Sequence, residues 1–77
     1  LTLEYNNESH NISEGVIEIY CDQEGLEYLI KNLENLKKNS GHIHLMTPAW
    51  AGDGLTEDKQ GQNTILLNHL CIMKKPV

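Results

Sequence analysis

Leu26, Leu29, Ile30, Leu33 and Leu36 recur at steps of three and four, the spacing of one face of an α-helix. Asp22 stands just before this run as an N-cap, and Glu24 and Glu27 complement the positive end of the helix dipole. Lys37 and Lys38 occupy the last turn, and Asn39-Ser40-Gly41 supplies the stop. Roughly fifteen residues give a helix about 22 Å long. A single amphipathic helix must bury its stripe against another layer, so the remainder of the chain has to provide one.

The remainder alternates. Leu1, Leu3 and Tyr5 interleave with Thr2 and Glu4, which predicts an edge strand. Asn6 to Gly15 is turn vocabulary, with Ile12 at the threshold of the next strand. Val16 to Cys21 is a stronger strand with Ile17, Ile19 and Cys21 on one face, so the first two strands form a hairpin with a long connection. His42 to Met46 alternates again, Ile43 and Leu45 against His42 and His44, and Pro48 ends the pairing. Thr64 to Met73 is the last strand, with Leu66, Asn68, Leu70 and Ile72 on one face and Ile65, Leu67, His69, Cys71 and Met73 on the other; Lys74-Lys75-Pro76 closes it.

The predicted order is β-β-α-β-β: an α+β fold in which one helix packs on one face of a small antiparallel sheet. Residues 1–77 are expected to form one small domain, with a variable loop at 47–63. That loop far exceeds the typical 4–6 residues, and Thr56 to Gln60 within it could form one helical turn. The edge position of Leu1 to Tyr5 also leaves room for a homodimer.

Seventy-seven residues bury a modest core, with stability on the order of 5 kcal/mol. Eleven acidic residues against six basic give a formal net charge of -5, which argues against nucleic acid or an anionic membrane and favours a basic protein partner. No apolar run reaches the ~18 residues of a membrane span. The chain starts at Leu1 without a Met, as a trimmed leader or a few missing residues would leave it. Two cysteines, Cys21 and Cys71, are too few for a secreted disulfide framework, so free thiols and a cytoplasmic location are expected.

The residue types present admit three kinds of site. His42 and His44 share a strand face, as do His69 and Cys71, so two facing pairs could form a zinc site if the strands are neighbours in register. The bland alternative is a polar sheet face, and no metal or other cofactor is expected. A Cys–His pair, or Asp53 or Glu57 as general acid or base, finds no supporting motif, so no catalytic residues are assigned. Trp50 on a Gly-rich loop beside Asp53, Glu57 and Asp58 combines an aromatic anchor with an acidic rim, as protein-binding surfaces do. Against that stands an indole folded back to cap a core that has no Phe.

The residues His42-Ile43-His44-Leu45-Met46-Thr47-Pro48-Ala49-Trp50-Ala51-Gly52, then Leu55-Thr56-Glu57, Lys59-Gln60-Gly61 and Leu67-Asn68-His69-Leu70, resemble the Imm32 family of immunity proteins from bacterial polymorphic-toxin systems. The family pattern is a strand, a Thr-Pro-x-Trp-x-Gly turn and a Lys-Gln-Gly step; Ala51 is a mild departure, and Cys71 is not a family position. The resemblance implies a small α+β, non-enzymatic protein that binds and neutralises a cognate toxin domain. It supplies no contact residues, so Trp50, Asp53, Glu57 and Asp58 rest on the loop argument alone. The competing functions are a small zinc-binding domain using His42, His44, His69 and Cys71, and an accessory subunit of an enzyme.

Overall fold

The computed structural model describes residues 1–39 and 41–75, so Ser40 of the expected helix stop and Pro76 after the last strand lie outside the described residues. Helix α1 runs Gln23–Lys38. The Asp22 side chain accepts a bond from the Gly25 amide at 2.7 Å, as the capping residue of the sequence reading should. At the other end the Lys74 ammonium donates to the carbonyls of Lys37 (3.0 Å) and Asn39 (3.4 Å), satisfying acceptors that the helix leaves open.

Strand β1 (Thr2–Asn6) and strand β2 (Val16–Tyr20) form the expected antiparallel pair, Thr2 opposite Tyr20 and Asn6 opposite Val16. The connection between them holds a short 3-10 turn, Ile12–Glu14, so Ile12 is not part of the second strand. The edge position expected for Leu1 to Tyr5 is overturned. Strand β4 (Thr64–Leu67) pairs with the other side of β1, and the sheet order is β2-β1-β4. With both its sides hydrogen-bonded, β1 has no free edge through which to dimerise.

Strand β3 (His42–Met46) pairs with β5 (His69–Met73) in a second, two-stranded sheet. The single last strand of the sequence reading is therefore two, divided at Asn68. Leu67 and Leu70, which strict alternation sends to opposite faces, both pack against the core of Leu3, Leu45 and Leu55. The cause is a polar tie. The Thr47 amide donates to the Asn68 carbonyl (3.0 Å), and the Thr47 hydroxyl donates to the Asn68 side-chain oxygen (2.7 Å).

The helix presents more apolar surface than the sheets cover. Its half-buried stripe is Gly25, Leu29, Asn32 and Leu36, whereas Leu26, Ile30 and Leu33 stay exposed. The stripe read from the sequence is split between the core and solvent.

Candidate partner-binding face

The loop after β3 is built from backbone ties rather than from a helix. Pro48–Trp50 forms a 3-10 turn in which the amides of Trp50 and Gly52 return to the Thr47 carbonyl, at 2.9 and 3.2 Å. Gly52 is required here because a Cβ would come within 2.4 Å of the Met46 Cβ. Beyond the turn, the Met46 amide donates to the Asp53 carbonyl and the Leu55 amide to the Met46 carbonyl, which drops Leu55 into the core. Thr56 to Gln60 does not form the expected helical turn. The Thr56 amide is drawn to the Leu1 carbonyl instead, and the amides of Gln60 and Gly61 are drawn to Glu4.

Glu4 is fully buried. One carboxylate oxygen accepts from the Thr2 hydroxyl (2.8 Å) and the Gln60 amide (2.9 Å); the other accepts from the Thr64 hydroxyl and the Gly61 amide (2.9 Å). Burial by itself would raise its pKa, but the bonds from Thr64, Gln60, Gly61 and Thr2 outweigh that and lower it to about 2. Gly61 lacks a Cβ that would lie 2.6 Å from Thr64, and the Lys59 ammonium donates to the Thr64 carbonyl (2.8 Å). The Lys-Gln-Gly step is thus the cradle of a buried anion. The sequence reading has Glu4 only as an alternating residue of an edge strand and assigns it no role.

The four residues singled out on the loop do not form one patch. Trp50 is 57% exposed, so it does not cap the core; its ring lies 6.0 Å from that of His69, at the β3–β5 end. Asp53 lines a cleft of about 430 Å³ together with Asp22, Glu24, Tyr28 and Leu55. Asp58 lines a neighbouring cleft of about 500 Å³ with Tyr20, Cys21, Asp22 and Gln60. Leu1, Asp22 and Thr56 border both clefts, and Glu57 lines neither. Asp22 and Glu24, read from the sequence only as helix-capping acids, thereby join Asp53 and Asp58 in one acidic region.

On the β3–β5 sheet, Cys71 sits directly opposite His44 and His69 opposite Met46, so His42, His44, His69 and Cys71 share a face as the spacing suggested. Their donor atoms do not share a centre. His44 Nδ1 is 2.6 Å from His69 Nε2, while the Cys71 sulfur lies 3.9 Å from the opposite nitrogen, His44 Nε2. The His42 ring meets that of His44 edge-on, with centroids 4.6 Å apart. A zinc ion needs its ligands converging within ~2.0–2.3 Å of one point. Among the described residues no group of three or more His, Cys, Asp or Glu is placed to hold a metal ion. Burial, with the charges of His42 and His69 beside it, lowers the His44 pKa.

No helix among the described residues is long and apolar enough to cross a membrane. Neither a curated protein nor a solved structure matches the chain. The family model of immunity protein 32, Imm32, matches residues 16–70. That span runs from the first residue of β2 past Asn68, and it takes in the Thr47–Gly52 turn and the Lys59-Gln60-Gly61 cradle whose geometry is given above. The chain belongs to the Imm32 family of immunity proteins.

Proposed function

We propose that this protein protects its producing cell by binding a cognate toxin domain in the cytoplasm and occluding or distorting its active site, without catalysis of its own. The family match over residues 16–70 carries this reading. The acidic region supports it: Asp53 and Asp58 beside Asp22 and Glu24, on a chain of net charge -5, suits a toxin with a basic surface. Trp50 and Glu57, both exposed, extend the contact along the same loop. The Glu4 cradle holds the acidic segment in one conformation before the partner arrives, which lowers the ordering cost of binding.

The test is co-expression with the C-terminal domain of a large protein encoded immediately upstream, scoring survival and co-purification. Rescue with a stable complex is expected. Reversing the charges of Asp53, Glu57 and Asp58 together is expected to slow association about tenfold at low salt, with a smaller change in dissociation. An association rate unchanged in the triple variant would move the contact off this loop.

A further inference from the structure

One face of the β3–β5 ribbon is made only of side chains that can donate to a soft metal. Register sets His42 opposite Met73, His44 opposite Cys71 and Met46 opposite His69, so each cross-strand pair joins one imidazole to one sulfur. The other face carries Ile43 opposite Ile72 and Leu45 opposite Leu70, and it turns Leu45 and Leu70 into the core. A solvated sheet face is ordinarily built of charged and hydroxyl side chains, and none of the six positions holds one apart from the imidazoles. His42, His44, His69 and Met73 are exposed, and Cys71 is half-buried at the centre.

The middle pair already holds two donors at the separation of ligands to one ion. The Cys71 sulfur lies 3.9 Å from His44 Nε2. An ion ~2.3 Å from the sulfur and ~2.0 Å from the nitrogen would subtend an angle of about 130° across that gap. A tetrahedral angle would need the two atoms only ~3.5 Å apart. The pair is therefore too open for a closed zinc site. That agrees with the lack, among the described residues, of three or more His, Cys, Asp or Glu gathered round one point. It suits the two- or three-coordinate geometry of monovalent copper, which thiolate and thioether ligands select.

The rest of the face is arranged around this pair. His44 Nδ1 is 2.6 Å from His69 Nε2. When Nδ1 carries the hydrogen and donates it to His69, the lone pair is left on Nε2, the nitrogen within reach of the sulfur. Such a bond is what orients a ligating imidazole and fixes its tautomer. The adjacent cross-strand pair offers a third donor. His42 meets the His44 ring edge-on, with centroids 4.6 Å apart, and Met73 is a flexible, polarisable thioether.

The geometry points to a site for one Cu(I) ion that joins β3 to β5 through His44 Nε2 and the Cys71 thiolate, with a third donor from the His42–Met73 pair. His69 is its positioning residue. Binding releases the Cys71 thiol proton to solvent, and the metal enters and stays as Cu(I), so no electron is transferred. A two-stranded ribbon is marginal by itself, and the ion would staple the one from which the Thr47–Gly52 turn extends. This site goes beyond the immunity reading and does not depend on it.

The reduced full chain is titrated with Cu(I) under anaerobic conditions against a coloured Cu(I) chelator of known affinity. Cys71→Ser, His44→Asn, His69→Gln and Cys21→Ser are compared with wild type, each after circular dichroism has shown the wild-type fold. One equivalent is expected in wild type and in Cys21→Ser, whose thiol lies outside the ribbon. Cys71→Ser and His44→Asn are each expected to weaken uptake about 100-fold or more, and His69→Gln about 10–100-fold. Cu(I) should raise the Tm of wild type and leave that of Cys71→Ser unchanged. Because a strand substitution can cost the fold, X-ray absorption of the loaded wild-type protein is the second measurement. Two or three donors that include both sulfur and imidazole nitrogen are expected. An all-sulfur shell overturns the site, as does uptake that survives Cys71→Ser or disappears with Cys21→Ser. A wild-type chain that takes up no Cu(I), or that holds Zn(II) as tightly, also overturns it and reduces the middle pair to a thiol–imidazole contact.

Discussion

Glu4 and His44 both have lowered pKa values, for opposite reasons. At Glu4 burial works against the charge and four hydrogen bonds win, so the anion is what the fold stabilises. At His44 burial and two neighbouring imidazoles disfavour the charge, so the neutral ring is what the fold tolerates. Acid costs stability at both places, but over different ranges of pH. The contrast separates a polar group that organises a loop from one that the strands merely accommodate.

The largest effect is expected at Glu4. Glu4→Gln leaves a buried amide with two donors facing donors, and the amides of Gln60 and Gly61 each lose a charged acceptor. A fall in Tm of roughly 10 °C is expected, with faster hydrogen exchange at Gln60 and Gly61 than at the β1–β2 pair. The native protein should lose the same contribution through acid. Its folded pKa of about 2 lies below the usual 4.5, so stability is complete above about pH 4.5 and drains away as pH falls towards 2. Glu4→Gln should flatten that limb of the stability curve. A variant that retains it would place the acid sensitivity elsewhere.

The same contrast shows what the sequence could convey. The helix was legible almost to the residue, because its cap, dipole partners and apolar period all lie within Asp22 to Asn39. Strand β3 was legible for a similar reason, with alternation bounded by Pro48. The shared face of His44, His69 and Cys71 also followed from spacing, once β3 and β5 proved to be neighbours. The Glu4 cradle was not legible. Three of its four partners lie 56 or more positions away, and two of those are backbone amides, which no side-chain pattern announces. The division at Asn68 was missed because Thr64 to Met73 is strand-like throughout, with no Gly or Pro to mark a break; the tie to Thr47 sits at the division. Trp50 was judged on size, yet the aliphatic core closes around Leu55 without it.

The tie at Asn68 is a middle case, a neutral contact with no charge to titrate. Thr47 is completely buried. Thr47→Val keeps its shape, removes the hydroxyl and leaves the Asn68 oxygen without that donor. The cost should be about 1 kcal/mol, or a Tm lower by roughly 4–8 °C, with no dependence on pH between the titration ranges of Glu4 and His44. A thermal melt at two pH values tests both halves of that statement. A pH-dependent loss would mean that Asn68 is coupled to the neighbouring His69, and the two regions would not be independent.

The smallest effect is expected at His44, and its sign is the sharpest test of the contrast. The groups facing it are His42 on its own strand and His69 and Cys71 on β5. At 2.6 Å, the His44 and His69 nitrogens have room for one proton between them, so charging both rings sets two cations against each other. A histidine whose folded pKa lies below its unfolded 6.5 takes up its proton more readily when unfolded. Stability is therefore intact above 6.5 and declines as pH falls towards the folded value. His44→Asn should leave Tm nearly unchanged at about pH 8 and make it less sensitive to acid down to about pH 5, above the range where Glu4 takes over. A Tm that falls as steeply in the variant would place the sensitivity elsewhere. A steeper fall would mean that the neutral imidazole was itself stabilising the β3–β5 pair, making His44 an organiser of its strands as Glu4 is of its loop.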